Sequence, residues 1–374
     1  MEEHRMEFDE LYSLKEKSNK EKKDKSTKRL TELSHGGGCG CKIDPAALDE
    51  ILAHVPKTAS TADLLVGIEH SDDAAVYRVS DEYALVFTND FFTPMVDDPY
   101  LYGRIAAANA LSDIYAMGGE PMLANAIVGF PVNELSVNTM QQIMQGGVDV
   151  CVDAGIPLSG GHSIDNPQPI FGLAAIGKVN PKQVKTNSNS KVGDVLLLTK
   201  PIGIGVLASA FKIDEISSKG YKAFVENITM LNKSGAWLGQ QDSVHAMTDI
   251  TGFGLAGHLI EMAHGANVSM EVHLGAVPII PEALAHVVEG IVPGGAYRNM
   301  ENYSVDLKFP DDWDIDKQLL FTDPQTNGGL LVSIDPVDVE RVIKELKKQG
   351  EQQVTIVGEV TEARKDNIAV NFIS

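Results

Sequence analysis

The stretch YALVFTNDFFTPMVDDPYLYGRIAAANALSDIYAMGG, residues 83–119, indicates the architecture of the chain. Residues 83–88 form a short run of strand-forming side chains, which predicts a β-strand. Residues 100–117 carry apolar side chains at helical spacing and end at Gly118-Gly119, which predicts a helix closed by glycine. A strand followed by such a helix is typical of a layered α/β or α+β architecture.

The same alternation continues on both sides of this stretch. Helices are predicted at residues 136–154, with Ser136 as the N-cap, and at residues 220–239, 253–264 and 336–348. Further strands are predicted at residues 122–129, 170–179, 195–199, 268–274, 329–334 and 354–360. We therefore expect a mixed α/β fold, layered as in α+β proteins, from about residue 44 onward.

The length of 374 residues exceeds the size at which a single core keeps growing, so two domains are expected. The polar stretch 182–193 is the best candidate for their boundary. We predict a flexible N-terminal segment at residues 1–43, an N-terminal α/β domain at 44–181 and a C-terminal α/β domain at 182–374.

Composition and charge exclude several classes of protein. Hydrophobic residues make up 43% of the chain, yet no apolar run approaches the ~20 residues of a membrane span, and no signal peptide is recognisable. The three cysteines do not resemble a secreted disulfide framework. A soluble, cytoplasmic protein is therefore expected.

The net charge of −21 belongs to the folded body, because residues 1–30 hold nine Lys/Arg and eight Asp/Glu. An acidic body repels nucleic acid phosphates, which disfavours an RNA- or DNA-binding role. The mixed charges of residues 1–30 predict a solvated tail rather than an ordered element.

A glycine-rich segment, Ser34-His-Gly-Gly-Gly-Cys-Gly-Cys-Lys42, contains the first candidate site. Its glycines predict a mobile backbone, and a lysine three residues after Cys39 would stabilise the thiolate, so Cys39 is interpreted as a nucleophile. An incidental pair of thiols or a partial zinc site is the alternative, although Cys39 and Cys41 supply only two of four zinc ligands. Cys151 lies in an apolar helical pattern and is predicted to be a core residue.

Aspartates next to apolar runs form the second candidate site. Asp72-Asp73 precede the run at residues 74–76, Asp90 follows the strand at 83–88, and Asp249 ends a strand before a glycine turn and a helix. Asn109 and Asp113 lie four residues apart and share one face of the helix at 100–117. Each aspartate alone is more often a cap or turn residue, but together they suit Mg²⁺ bound with nucleotide phosphates.

A third candidate is the turn Ser159-Gly-Gly-His-Ser163, whose backbone N–H groups could hold phosphate oxygens. His162 fits either a ligand contact or an ordinary loop position. The chain has no GxxxxGK[ST] loop and no protein-kinase motif set, so a P-loop or kinase-type nucleotide site is unsupported.

Taken together, these motifs resemble the selenophosphate synthetase family (selenide, water dikinases) of the aminoimidazole ribonucleotide synthetase superfamily. The resemblance extends from about Leu30 to the C-terminus and also includes Thr88-Asn-Asp-Phe-Phe92 and Asp323-Pro-Gln-Thr-Asn-Gly-Gly329. The cysteine–lysine segment is its specific part. Two positions depart from the family pattern. Gly37 stands where a small residue such as alanine is expected, and Asn327 stands where the Asp-Pro-Gln-Thr motif usually continues with serine.

The resemblance implies a role for each matching residue. Cys39 and Lys42 match catalytic positions, Cys39 standing where some members carry selenocysteine and Lys42 facing the phosphates. Asp73, Asp113 and Asp249 match Mg²⁺ ligands. Nucleotide-binding positions are matched by Lys42, Asp72, Asp90, Asp113, Gly161, His162 and Ser163.

The resemblance further implies a two-domain fold, a homodimer, ATP bound by the N-terminal domain, and the conversion of ATP, selenide and water into selenophosphate, AMP and phosphate. Two other classes remain open. A superfamily relative that stops at ADP would leave Cys39 and Lys42 without a purpose, and a non-catalytic selenium- or metal-binding protein would leave the dispersed aspartates unexplained.

Overall fold

The computed structural model describes residues 28–34, 36–41, 50–51, 54, 61–67 and 72–374. Within them the chain forms two mixed sheets with helices packed on them, which confirms the predicted α/β class. The strands are β1 (Leu64–Val66), β2 (Ala75–Arg78), β3 (Ala84–Phe92), β4 (Glu120–Phe130), β5 (Leu158–Asp165), β6 (Ile170–Val179), β7 (Val195–Leu198), β8 (Val244–Asp249), β9 (Val268–His273), β10 (Leu307–Lys308), β11 (Leu330–Ile334), β12 (Thr355–Glu362) and β13 (Val370–Ile373).

The α-helices alternate with the strands and are numbered here in chain order. Short 3₁₀ turns lie at Leu30–Leu33, Gly38–Cys41 and Pro336–Asp338. They are α1 (Pro99–Ala116), α2 (Val137–Asp153), α3 (Ile204–Lys212), α4 (Ser218–Thr229), α5 (Ser234–Gly239), α6 (Gly254–Ala266), α7 (Pro281–Val288), α8 (Gly294–Tyr303), α9 (Ile315–Gln318) and α10 (Val339–Lys348). None of the helices in the described ranges is both long and apolar enough to cross a membrane.

The first sheet has the strand order β1-β2-β3-β6-β4-β5 and is antiparallel except for the pair β4–β5. Helices α1 and α2 cover one of its faces. They approach closely because glycines stand at their contact: a Cβ on Gly146 would lie 2.1 Å from the Tyr100 carbonyl oxygen. Cys151 is fully buried in α2, as predicted.

The opposite face of this sheet carries exposed apolar side chains. Tyr77 on β2, Phe87 and Phe91 on β3, and Met122 on β4 are each between 42% and 49% exposed. Phe87 and Phe91 lie four residues apart on one strand and therefore point to the same side. In the described chain, this face is a large uncovered apolar surface.

The second sheet has the strand order β10-β13-β9-β12-β7-β11-β8. Helix α6 packs against β8, β9 and β13, while α10 places Val339, Val342 and Leu346 on a core with Leu197, Val332 and Ile334. The antiparallel pair β8–β11 sets Asp249 opposite Leu330 at the edge nearest the first half of the chain.

Several predicted elements are confirmed, among them the strand at Ile170–Val179 and the helix N-cap at Ser136, whose hydroxyl accepts from the Thr139 N–H at 3.1 Å. The single helix predicted at 220–239 is wrong: two helices, α4 and α5, flank a break at Asn232. The buried amide of Asn232 donates to Ser112 Oγ at 2.7 Å and to the Gly328 carbonyl at 2.8 Å. These contacts with distant segments favour the break over a continuous helix.

Candidate active site

Asp73 lies just before β2 and contacts the second half of the chain. The Thr248 hydroxyl on β8 donates to Asp73 Oδ1 at 2.8 Å. The other oxygen, Oδ2, is buried and has no hydrogen-bond partner among the described residues. Burial raises the pKa of the Asp73 carboxyl well above its ordinary value, and the nearby charges of Asp249 and Asp113 raise it further. The structure therefore brings these three predicted ligands into one electrostatic environment.

Asp72 points to a different partner. Its Oδ1 accepts a hydrogen bond from the Asn187 backbone N–H at 2.9 Å. Asn187 belongs to the polar stretch between β6 and β7, so Asp72 ties that connection to the start of the first sheet. In this structure Asp72 acts as a backbone acceptor beside the Asp73 site.

Asp113 and Asn109 project from α1 toward β3. The Thr88 hydroxyl donates to Asp113 Oδ2, and the Asn109 amide donates to Asp90 Oδ2. The predicted shared helix face is thus confirmed. The prediction that Asp90 follows the strand is wrong, because β3 continues to Phe92 and includes Asp90; hydrogen bonding to β6 extends the strand through these polar residues.

Asn109 also connects α1 to the segment before β11. Its Oδ1 accepts from the Asn327 N–H at 2.7 Å, and Asn109 is fully buried. Asn327 has a positive φ of 49°, a conformation that asparagine tolerates better than most residues. Its own amide donates to the carbonyls of Ile228 and Met230, at 2.9 Å each. These contacts explain why asparagine fits a position where the family pattern has serine.

Lys200 is a buried cation that the sequence reasoning missed. Its ammonium donates to the Met230 carbonyl at 2.6 Å and to the Asn327 carbonyl at 2.9 Å. Burial lowers its pKa to about 8, while the charges of Glu351 and Asp249 oppose that shift. The available signal was a lysine two residues after the apolar strand β7, a position where a buried charge needs hydrogen-bond partners.

Gly161, His162 and Ser163 do not form the predicted turn. They lie in β5, an exposed edge strand in which His162 pairs with Ile127 of β4. Strands β6 and β4 separate β5 from β3, so this segment lies roughly 14 Å from β3 at the usual strand spacing. The turn prediction failed because β4 extends the glycine segment into a strand. The described chain does not bring these three residues together with Asp73 and Asp249.

The backbone of the glycine-rich segment packs beside the end of β3. The Gly38 N–H donates to the Thr93 carbonyl at 3.1 Å, three residues after Asp90. A Cβ on Gly37 would lie 2.9 Å from the Pro94 carbonyl oxygen, which gives a steric reason for glycine there. The side chains of Cys39 and Cys41, and all of Lys42, lie outside the described residues.

The carboxylates of Asp73, Asp113 and Asp249 are candidate ligands for a metal ion. No three His, Cys, Asp or Glu side chains of the described residues are arranged closely enough to enclose a metal. Mg²⁺, however, keeps several waters and usually takes only one or two protein carboxylates together with substrate phosphates. The buried, unpaired Asp73 Oδ2 and the hard oxygen donors of Asp113 and Asp249 fit that mode of binding.

Comparison with known proteins gives the class of this fold. The family models of AIR synthase related proteins match residues 71–179 with their N-terminal domain and residues 191–371 with their C-terminal domain. Among solved structures, the thiamine-monophosphate kinase of Stenotrophomonas maltophilia aligns with a TM-score of 0.61 at 18% identity, covering 87% of this chain and 95% of its own. The hydrogenase maturation protein HypE in complex with ATP aligns with a TM-score of 0.60 at 15% identity, covering 82% and 87%. The fold is that of the AIR synthase related proteins.

Relatives of similar sequence identify a narrower family among the AIR synthase related proteins. A selenide, water dikinase of Burkholderia ambifaria is 50% identical over 334 residues, covering 89% of this chain and 94% of the relative. One of Pseudomonas straminea is 50% identical over 335 residues, and one of Rhizobium meliloti 46% identical over 330. The chain therefore belongs to the selenide, water dikinase family of enzymes.

Proposed function

We propose that this enzyme converts ATP, selenide and water into selenophosphate, AMP and orthophosphate, and so supplies the selenium donor for selenocysteine and selenouridine synthesis. The observation that carries the proposal is the group formed by Asp73, Asp113 and Asp249, from three distant segments. Three carboxylates whose charges repel one another suit a site that receives cations and phosphates.

Asp73, Asp113 and Asp249 would hold Mg²⁺, which when bound neutralises charge on the nucleotide phosphates. The chain's own residues position the reactants. Asp90, fixed by Asn109, would contact the nucleotide phosphates, and Lys42 would add positive charge at the γ-phosphoryl group. Asp72 would add a further nucleotide contact beside Asp73, whereas Gly161, His162 and Ser163 lie on β5, apart from these carboxylates.

The proposed chemistry has two displacement steps. Selenide attacks the γ-phosphorus and forms the Se–P bond while the bond to the ADP oxygen breaks. Water then attacks the β-phosphorus of the retained ADP and releases AMP and orthophosphate. Cys39 would position selenium, and the glycine-rich segment would exclude water until the first step is complete.

The exposed face of the first sheet supports a homodimer. Tyr77, Phe87 and Phe91 together present an apolar surface that a second copy would cover. Replacement of Phe87 by Lys should shift the molar mass in light scattering from dimer to monomer, whereas Val337→Lys, at an isolated exposed apolar residue, should not. The enzyme is proposed to act in the cytoplasm.

Phosphorus NMR of an anaerobic reaction tests the proposed reaction. With MgATP and selenide we expect AMP, orthophosphate and a selenium-bonded phosphate in equal amounts, all dependent on selenide. A relative that stops at ADP would leave ADP as the stoichiometric product. That outcome, or a spectrum unchanged by selenide, would refute the dikinase reaction.

The cysteines provide a matched pair of variants for the same assay. Cys39→Ser should abolish the selenium-bonded product, while Cys151→Ser should retain turnover and lose only stability because Cys151 is fully buried in α2. Full selenide-dependent activity in Cys39→Ser would remove the catalytic role assigned to that thiol.

A further inference from the structure

A cavity of about 330 Å³ lies beside the glycine-rich segment. Gly36, Gly37 and Gly40 form one wall, and the opposite walls come from α3 and from the start of α8. Its volume is at the lower end for small-molecule sites, which suits a small ion better than a nucleotide. None of Asp73, Asp113 and Asp249 lines it.

Among the described residues, two cations line this cavity in a strongly acidic protein. Lys212 and Arg298 both contribute to the wall, and neither forms an ion pair with any carboxylate of the described residues. Arg104 and Arg341, by contrast, are paired with aspartates. The Arg298 guanidinium instead approaches the Gly40 carbonyl at 3.4 Å, next to Cys39. Unpaired cations in one concave site attract an anion.

The two helices that reach the cavity differ in whether side chains accept hydrogen bonds from the backbone N–H groups of their first turns. The first N–H groups of α3 are occupied: Asp323 accepts from Gly205 at 3.0 Å, and Gln325 accepts from Ile204 at 3.0 Å. No side chain in the described ranges caps helix α8, and its first residues, Gly294 and Gly295, line the cavity. The positive end of α8 therefore adds to the charges of Arg298 and Lys212.

Two consecutive residues, Thr326 and Asn327, connect the cavity to the carboxylate site. Thr326 lines the cavity, and the next residue, Asn327, donates its N–H to Asn109, which holds Asp90. Resting on the proposed function, we propose that this cavity binds a small tetrahedral oxyanion, orthophosphate or selenophosphate, as a product compartment beside the phosphoryl-transfer site. A guanidinium fork matches such an oxyanion better than it matches selenide.

Calorimetric titration of the full chain with inorganic phosphate and with thiophosphate, at low salt and without nucleotide, tests this site. Thiophosphate is the stable probe for selenophosphate, and the anion that binds more tightly identifies the product held. We expect Arg298→Met to weaken binding at least about 10-fold, Lys212→Met to weaken it less, and Arg298→Lys to fall between wild type and Arg298→Met. Lys308→Met is the matched control, because Lys308 is exposed and does not line the cavity, and it should leave binding unchanged.

Absence of binding by the wild type, or equal weakening by Lys308→Met and Arg298→Met, would overturn the proposal. Circular dichroism melts verify that the variants fold. Because no turnover is required, this result is independent of the NMR product analysis. If the protein produced AMP but bound neither anion, the proposed product compartment would be refuted and the proposed reaction would stand.

Discussion

Asn109 is the residue that connects the two halves of the candidate site. It is fully buried, donates to Asp90 and accepts from the Asn327 N–H. An aspartate at this position would lose the donor, and a leucine would lose both bonds. The amide is therefore matched to its two partners, and it fixes the carboxylate of Asp90 through a hydrogen bond from α1.

Replacement of Asp73, Asp113 or Asp249 by Asn should each lower turnover about 100-fold, or about 2.7 kcal/mol of transition-state stabilisation, because a charge is lost at nearly constant size. Asp366→Asn is the control, since Asp366 pairs with Arg364 at the surface. Steady-state AMP formation measures the effect. Near-normal rates in all three variants would exclude the assigned metal site.

Asp323 should make folding stability depend on pH near neutrality. Burial raises its pKa from 3.8 to about 7, so its contribution is fully present below about pH 4 and is lost as the pH rises to about 7. Asp323→Asn retains an oxygen acceptor for Gly205 and carries no charge. Relative to the variant, the wild type should lose about 3 kcal/mol of unfolding free energy between about pH 5 and pH 8. Urea titrations at both pH values measure this difference, and a constant difference would contradict the buried charge.

At the scale of elements, the contact between α1 and α2 depends on glycine. Gly146→Ala would drive a Cβ against the Tyr100 carbonyl oxygen, and we expect a loss of about 1–3 kcal/mol of unfolding free energy. Gly275→Ala has no atom within 4 Å of the added Cβ and should change stability by less than about 0.5 kcal/mol. Chemical denaturation of both variants compares them directly, and equal stability would show that the helices can separate without cost.

The elements that sequence patterns predicted well have their own strong periodicity, as in β6 and α2. The errors occur where a distant partner decides the structure. Gly160 and Gly161 have the composition of a turn, but pairing with β4 makes them part of a strand. Asn232 lies in a helical pattern, but its hydrogen bonds to Ser112 and Gly328 interrupt the helix. Local propensity depends on neighbouring residues and therefore cannot indicate such distant partners.

The same limit applies to the candidate site. Aspartates beside apolar runs indicate a metal site in general, and the family resemblance selects Asp73, Asp113 and Asp249 among them. The structure brings these three near one another. Lys200 was missed because its meaning depends on the carbonyls of Met230 and Asn327, which are distant in sequence. Their roles as ligands, like those of Cys39 and Lys42, stay predictions.

At the scale of the whole molecule, the described N-terminal residues are docked onto the fold from Arg29 onward. Arg29 pairs with Asp97 at 2.5 Å and Asp214 at 3.2 Å, and Leu30 is only 2% exposed. Residues 1–27 lie outside the described part of the chain. Because residues 1–27 mix charges densely and contain few apolar side chains, a chain beginning at Lys28 should keep wild-type turnover.

A second truncation, beginning at Ser34, removes Arg29 and Leu30 and serves as the contrasting variant. It should be less stable because it loses the ion pairs and a buried apolar side chain. Activity assays alongside thermal melts compare the two truncations. A large loss of turnover in the chain beginning at Lys28, with the fold intact, would assign residues 1–27 to the site.

Hydrogen bonds join the first and second halves of the chain at Asp72–Asn187, Asp73–Thr248, Asn109–Asn327 and Ser112–Asn232. Opening one half alone would break these hydrogen bonds, each with a net contribution of about 0.5–1.5 kcal/mol. We therefore expect the two halves to unfold together as one cooperative unit. A protease in the cell would therefore encounter the intact enzyme or the fully unfolded chain, and a ligand bound to the folded enzyme would protect both halves from degradation together.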